Sequence, residues 1–323
     1  MHYIIFDLEW NQAMDPSRSV PGLPSEIIEI GAMKLTEDLR PAGRFETVIR
    51  PQVYKRLHHH VRKLTHVRAD ELESGLPFAE AARRFLAWAG EDAAWCTWGP
   101  SDLPELQRNI AYFCPELSLP WPLFYYDVQK LYGLQYDGRN TGKALEAVVD
   151  ELKLEKDVPF HRADADTYYT MRVMQQLDMK RLAPMRSVDY YRIPQTREDQ
   201  IRLKFETYSK FVSCGFASPD KLMKDKEVTD LPCPFCGGPT TLLVPWHAGS
   251  THNYLCVGTC PTHGKLRGKL RVRRHPSDVH YAVRTIRSVD EEEAKAITEK
   301  YESAKERRRE QRREARIRKK STT

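Results

Sequence analysis

The segment Phe6-Asp7-Leu8-Glu9-Trp10 closes an apolar run that begins at His2, and it limits the possible folds more than any other stretch. Side chains alternate along a strand, so Asp7 and Glu9 share one face. A central strand seldom places two like charges on one face, because each must shed water beside the other. Divalent cations remove that cost, since carboxylate oxygens are the ligands that magnesium and manganese take. Asp-x-Glu also occurs on solvated edge strands. A metal reading therefore requires further carboxylates elsewhere in the chain.

Two candidates stand at helix starts. Trp98-Gly99-Pro100-Ser101-Asp102 follows the short apolar stretch Ala93 to Thr97 and precedes Leu103, Leu106, Ile110 and Phe113 at helical spacing. Asp102 falls in the first turn, where a lone acid simply favours the helix end. His161-Arg162-Ala163-Asp164-Ala165-Asp166 leads into a helical pattern from Thr167 to Leu177. His161 lies just ahead of that helix and Asp166 about one turn inside it. Alone, such a histidine is a cap or a solvated residue; beside Asp7, Glu9 and Asp102 it completes a set.

In that order the residues resemble the DnaQ/RNase T superfamily of 3′→5′ exonucleases, in the branch with a histidine base (DEDDh). Asp7 and Glu9 match its first motif, Asp102 its second, and His161, Ala163 and Asp166 its third. Glu26 to Ala32 resembles the second strand, and Leu64-Thr65-His66-Val67 the turn usually written Leu-Thr-Gly-Ile. The likeness covers residues 1 to 180. It implies an RNase H-like α/β fold, a mixed five-stranded sheet flanked by helices. It implies two Mg²⁺ or Mn²⁺ ions held by Asp7, Glu9, Asp102 and Asp166, with His161 taking the proton of the attacking water, and nucleoside 5′-monophosphates as products. Substrates would be single-stranded RNA or DNA 3′ ends, met at Trp10, Thr65 and His66. Proofreading members carry Asn where this chain has Trp98; Trp-Gly-x-x-Asp is similar to relatives that trim RNA, which tips the expectation toward RNA. Asp164 occupies a variable position and reads as solvated helix-start charge. The rival reading is a nucleic-acid-binding adaptor with an inert exonuclease fold.

At 323 residues the chain exceeds one typical domain. Residues 1–180 read as the exonuclease domain, with strands near 2–8, 26–35, 45–50, 93–98 and 123–128. Residues 181–230 read as a helical linker, with a helix from Arg197 to Phe211. A ribbon over 231–287 and a basic helical or disordered tail over 288–323 complete the division. No run of 18 apolar residues suggests a membrane span, and no secretory peptide is expected. Seven cysteines without a disulfide-scaffold spacing point to a reducing cytoplasm.

Cys233-Pro234-Phe235-Cys236-Gly237, followed by Cys256 and Cys260, carries the spacing of a structural zinc ribbon. The second pair is one residue too wide, so His263 or His252 is an alternative fourth ligand. After it, Lys265, Arg267, Lys269, Arg271 and Arg273 alternate with Leu266, Leu270 and Val272. A strand there would place five cations on one face, available to phosphates. The net charge of the whole chain is +6, and residues 302–320 carry ten Lys or Arg against four Glu. The basic character therefore belongs to the tail, which reads as an arm for nucleic acid.

Overall fold

The computed structural model describes residues 1–323 apart from 66, 140, 251, 322 and 323, and apart from the side chains of 64, 69, 312, 313 and 315–321. It divides into two compact units, Met1–Tyr191 and Arg192–Thr323.

The first unit is built on a mixed sheet. Its first three strands, β1 (His2–Gln12), β2 (Ser25–Leu35) and β3 (Pro41–Val48), form the expected meander, antiparallel throughout. Two short helices, α1 (His59–Leu64) and α2 (Ala69–Ser74), precede α3 (Phe78–Ala89). Strand β4 (Ala93–Thr97) then pairs parallel to β1, α4 (Asp102–Phe113) follows, and β5 (Phe124–Asp127) pairs parallel to β4. Helices α5 (Val128–Tyr136), α6 (Leu145–Glu151), α7 (Ala163–Met174) and α8 (Met179–Leu182) lead to β6 (Ser187–Val188). The sheet order is β3-β2-β1-β4-β5-β6. It has six strands and not the five expected, because a two-residue edge strand pairs antiparallel to β5.

Alternation along β1 separates two cores. Ile4, Phe6 and Leu8 pack with Phe78 and Phe85 of α3 and with Leu103 and Leu106 of α4. Tyr3 and Ile5 pack on the opposite face with Val128, Val148, Tyr169 and Val173 of α5, α6 and α7. Asp7 and Glu9 continue the second face by their odd positions. The central strand therefore aims both acids toward the side that α7 covers.

The second unit is an antiparallel sheet. Its strands are β7 (Ile201–Lys204), β8 (Tyr208–Val212), β9 (Thr241–Ser250), β10 (Asn253–Cys260), β11 (Gly264–Arg274) and β12 (His280–Ser288), in the order β7-β8-β12-β11-β10-β9. The helix expected from Arg197 to Phe211 is instead the hairpin of β7 and β8. Ile201-Arg202-Leu203 alternates as well as it spirals, and β12 offers β8 a pairing partner that a helix could not use. Phe205 and Tyr208 stack across the turn at 4.3 Å. Residues 181–230 are thus not a linker, and the ribbon is part of a larger sheet.

Helices α9 (Pro219–Lys224) and α10 (Lys226–Thr229) cover the apolar side of β11, where Leu222 and Val228 meet Leu270 and Val272. The tail is α11 (Glu291–Ser321). Its first turns pack on the sheet, with Ala294 and Ile297 buried against Val244 and Val257. Among the described residues no helix is long and apolar enough to cross a membrane.

Candidate active site and metal centre

The acids of β1 are brought to a third acid by a missing side chain. Across the β1–β2 ladder Asp7 faces Gly31 and Glu9 faces Glu29. A Cβ at Gly31 would stand 2.2 Å from the carbonyl carbon of Ala163. Only hydrogen fits, so the first turn of α7 lies directly on β2. That contact carries Asp166 to β1, where single carboxylate oxygens of Asp7, Glu9 and Asp166 lie within 4.8 Å of one another. Asp102 approaches from α4: it is 4% exposed and accepts a hydrogen bond from the Leu8 amide at 3.3 Å. A bulge in the ladder at Glu9/Trp10 re-aims the strand where the acids end.

Gly31→Ala is expected to push α7 off β2. Overpacking of this kind costs about 1–3 kcal/mol, and here the obstacle is backbone, which does not swing aside. A lower melting temperature together with weaker Mn²⁺ binding is the expected result; unchanged Mn²⁺ binding would remove Gly31 from this role.

Crowding shows in the acidities. Burial, then the charges of Asp102, Asp166 and Glu9, hold the Asp7 carboxyl well above the carboxylate range. Glu9 is pushed up to about 8 by burial and then by Asp166. Burial lifts Asp102 to about 7 and Asp166 to about 6. Without cations the folded chain therefore keeps protons that the unfolded chain releases above about pH 4. The stability these protonated groups contribute is present below that pH and falls as pH rises through about 6 to 8. Metal binding competes with the same protons. The rise in melting temperature caused by Mn²⁺ should thus be small at pH 5.5 and large at pH 8, as a thermal scan would record. A rise independent of pH would contradict the shared site.

His161 precedes α7 in the left-handed region, with φ of 69°, and is exposed. Its backbone N–H donates to Asp166 at 3.4 Å, a bond that offsets part of the rise burial gives that carboxyl. Strained backbone of this kind concentrates at functional sites.

Two residues of the surroundings escaped the sequence reading. Glu29 is fully buried opposite Glu9, and Arg162 donates to it from Nε at 3.0 Å and Nη2 at 2.8 Å. Arg162 also reaches Glu71 at 3.3 Å. This ion pair pins the loop bearing His161 to β2. Asp164 is not simply solvated: Arg44 donates to it at 2.6 Å while also holding Glu46 at 3.0 Å.

The expected substrate contacts fare unevenly. Trp10 is half-buried against the α3–α4 core. Thr65 is 2% exposed and its hydroxyl donates to the Val61 carbonyl at 3.0 Å, so the side chain is committed to α1 and not offered to a ligand. His66 lies outside the described residues. On β11 the alternation is as expected, yet Lys265 is paired with Glu291 and Arg267 with Glu293 at 2.7 Å. Lys269 is half-buried, and Arg271 and Arg273 are exposed.

In the second unit the ligand group is Cys233, Cys236, Cys260 and His263. Cys256, expected in it, is excluded. Cys256 and Cys260 are four residues apart on one strand, and about 3.4 Å per residue places them too far apart for one ion. Cys256 is instead a fully buried core thiol beside Gly268 and Leu231, pushed by burial up to about 12. Cys260 ends β10, and the turn after it returns His263. The signal was present in the sequence: Cys233-Pro234-Phe235-Cys236-Gly237 and Cys260-Pro261-Thr262-His263-Gly264 repeat one pattern. Both glycines adopt the left-handed backbone it needs, with φ of 73° and 72°.

The spacing fits a metal. Cys236 and Cys260 sulfurs are 3.8 Å apart, and His263 Nδ1 is 3.5 Å from Cys233 and 3.6 Å from Cys260. Zinc bonds of about 2.3 Å to sulfur and about 2.0 Å to nitrogen, at tetrahedral angles, give edges of about 3.8 and 3.5 Å. The His263 hydrogen bond lowers the Cys260 thiol to about 6, so it is ready as a thiolate.

A mixed sheet flanked by helices, with acids converging on its central strand, defines the class as an RNase H-like α/β fold. A model of the RNase T exonuclease family matches residues 4–174, and the chain belongs to that family. No curated protein matches it. Similar solved structures include a 3′-exonuclease recognising the histone mRNA stem-loop, at 19% identity and TM-score 0.46, with 54% of this chain and 62% of that one covered. A second is the nuclease domain of 3′hExo, a DEDDh member bound to rAMP, at 19% identity and TM-score 0.49, covering 58% and 96%. A third is E. coli Exonuclease I with a dA16 oligonucleotide, at 14% identity and TM-score 0.45, covering 80% and 54%.

Proposed function

We propose that the chain is a metal-dependent 3′→5′ exonuclease that releases nucleoside 5′-monophosphates from single-stranded ends, RNA ahead of DNA. The observation that carries this is the convergence of Asp7, Glu9 and Asp166 within 4.8 Å, with Asp102 bonded to the same strand. These four carboxylates are the residues that would hold Mg²⁺ or Mn²⁺. Bound there, the ions supply Lewis acidity toward the phosphodiester and the attacking water. The carboxylates themselves fix where cations reside, since four crowded acids are stable as anions only beside positive charge. His161 accepts the water's proton at an imidazole nitrogen, a general-base task. Its exposure lets that proton leave to solvent. Arg162, held by Glu29, positions the loop. Trp98, standing where proofreading relatives differ, supports RNA.

Cys233, Cys236, Cys260 and His263 would hold zinc in a structural role, as four protein ligands leave no open position. Short 3′-labelled and 5′-labelled RNA and DNA, incubated with Mn²⁺, test the reading. A ladder shortening from the 3′ end, faster on RNA and slowed in His161→Ala with Mn²⁺ binding retained, is the expected result. Binding without shortening would favour the adaptor instead. Equal rates on RNA and DNA would remove only the preference.

A further inference from the structure

The cationic face of β11 meets α11 in a groove of about 820 Å³. Arg267, Lys269, Arg271 and Arg273 line one side, and Lys300 and Arg307 the other. None of the described residues lining it is Asp or Glu. The helix changes sign along its length. Its first turn is acidic, and Glu291 and Glu293 neutralise Lys265 and Arg267 at the near end of β11. Lys300 lies about 10 Å further along α11, where the strand presents Lys269 and Arg271. Base therefore faces base. Burial, and then the neighbouring Arg271 and Arg267, already hold the Lys269 amine below its usual range. Like charges across a partly enclosed groove repel, and an anion between them removes that repulsion.

The shape narrows the choice of anion. Alternate cations on a strand recur about every 7 Å, which suits successive phosphates of an extended chain. Apolar Leu255 and Ile297 also line the groove, and His247 packs on Tyr301 at 5.0 Å, so flat faces lie beside the charges. We propose that this groove binds the phosphate backbone of single-stranded nucleic acid, as a holding site separate from the carboxylates. Its occupant, though not the groove itself, rests on the exonuclease reading.

The test uses the full chain carrying Asp7→Asn and a fluorescein-labelled oligouridine, read by anisotropy over a range of salt. Adding Lys269→Gln, Arg271→Gln and Lys300→Gln should weaken binding at least about tenfold and flatten the salt dependence by about 2 in log–log slope, at about 0.7 per phosphate released. Arg271→Glu alone, at an exposed position, should weaken binding several-fold without disturbing folding. Unchanged affinity and slope in both variants overturns the groove. Poly-glutamate displacing the oligonucleotide as well as polyuridine does, at equal charge, overturns nucleic acid as the occupant in favour of an acidic peptide. Cleavage of a trinucleotide by the chain with Asp7 intact and no other substitution is measured separately. If that cleavage is absent while the binding loss is seen, the exonuclease reading falls and the groove stands.

Discussion

Asp7→Asn should abolish cleavage and, in the absence of divalent ions, make the protein more stable. The two effects share one cause. Asp7 stands among Glu9, Asp102 and Asp166, and the carboxyls of all four are pushed up, by burial first and then by neighbouring acids. An amide keeps the shape and stays neutral without the proton that burial forces on Asp7, so the cost of folding at neutral pH falls. A gain of about 1 kcal/mol in a domain of this size raises the melting temperature by about 2–4 °C. Catalysis moves the other way, because metal-assisted hydrolysis depends on several kcal/mol of charge stabilisation. Losing that much slows the reaction on the order of a thousandfold or more. Sites that strain their fold commonly show this trade of stability for activity. The check is a melt and a rate on the same sample: full activity in Asp7→Asn would end the assignment, and a lower melting temperature in metal-free buffer would show that Asp7 stabilises the fold rather than straining it.

The second large effect concerns the thiols. His263→Ala is expected to lose bound zinc and, with it, cooperative folding of Arg192–Thr323. Structural zinc contributes about 10–16 kcal/mol in isolated fingers, as much as the whole net stability of an ordinary domain, about 5–15 kcal/mol. Cys256→Ser should keep one zinc per chain, because its sulfur belongs to the core with Leu231 and Leu266. It would still destabilise by about 1–3 kcal/mol through a buried hydroxyl. Metal content by a colorimetric chelator, beside far-ultraviolet circular dichroism, separates the two. Zinc lost from Cys256→Ser and retained in His263→Ala would reverse the ligand assignment.

The candidate acids could be gathered along the chain because three motifs stand in the order of the exonuclease resemblance, where each alone reads as ordinary strand or helix-end charge. Asp7 and Glu9 share a strand face by alternation, and Asp102, His161 and Asp166 have their places at helix starts. Glu29 and Arg162 were invisible for the opposite reason. Their importance arises from cross-strand register and from a loop laid over β2, and neither leaves a local trace. The hairpin at β7 and β8 was missed because a short apolar run fits both periods, and the deciding partner, β12, lies some 70 positions away. Cys256 misled because counting spacings ignores conformation. Within a strand, residues four apart diverge, whereas a Pro-led turn ending in a left-handed glycine brings them back together.

An ion held in the second unit would tie residues 24 positions apart, Cys236 to Cys260. Such a tie acts on the denatured chain as a covalent staple would, by removing the freedom of the loop it closes. No oxidant is needed to make it. It can be undone without breaking a bond in the polypeptide, by anything that competes more strongly for the ion.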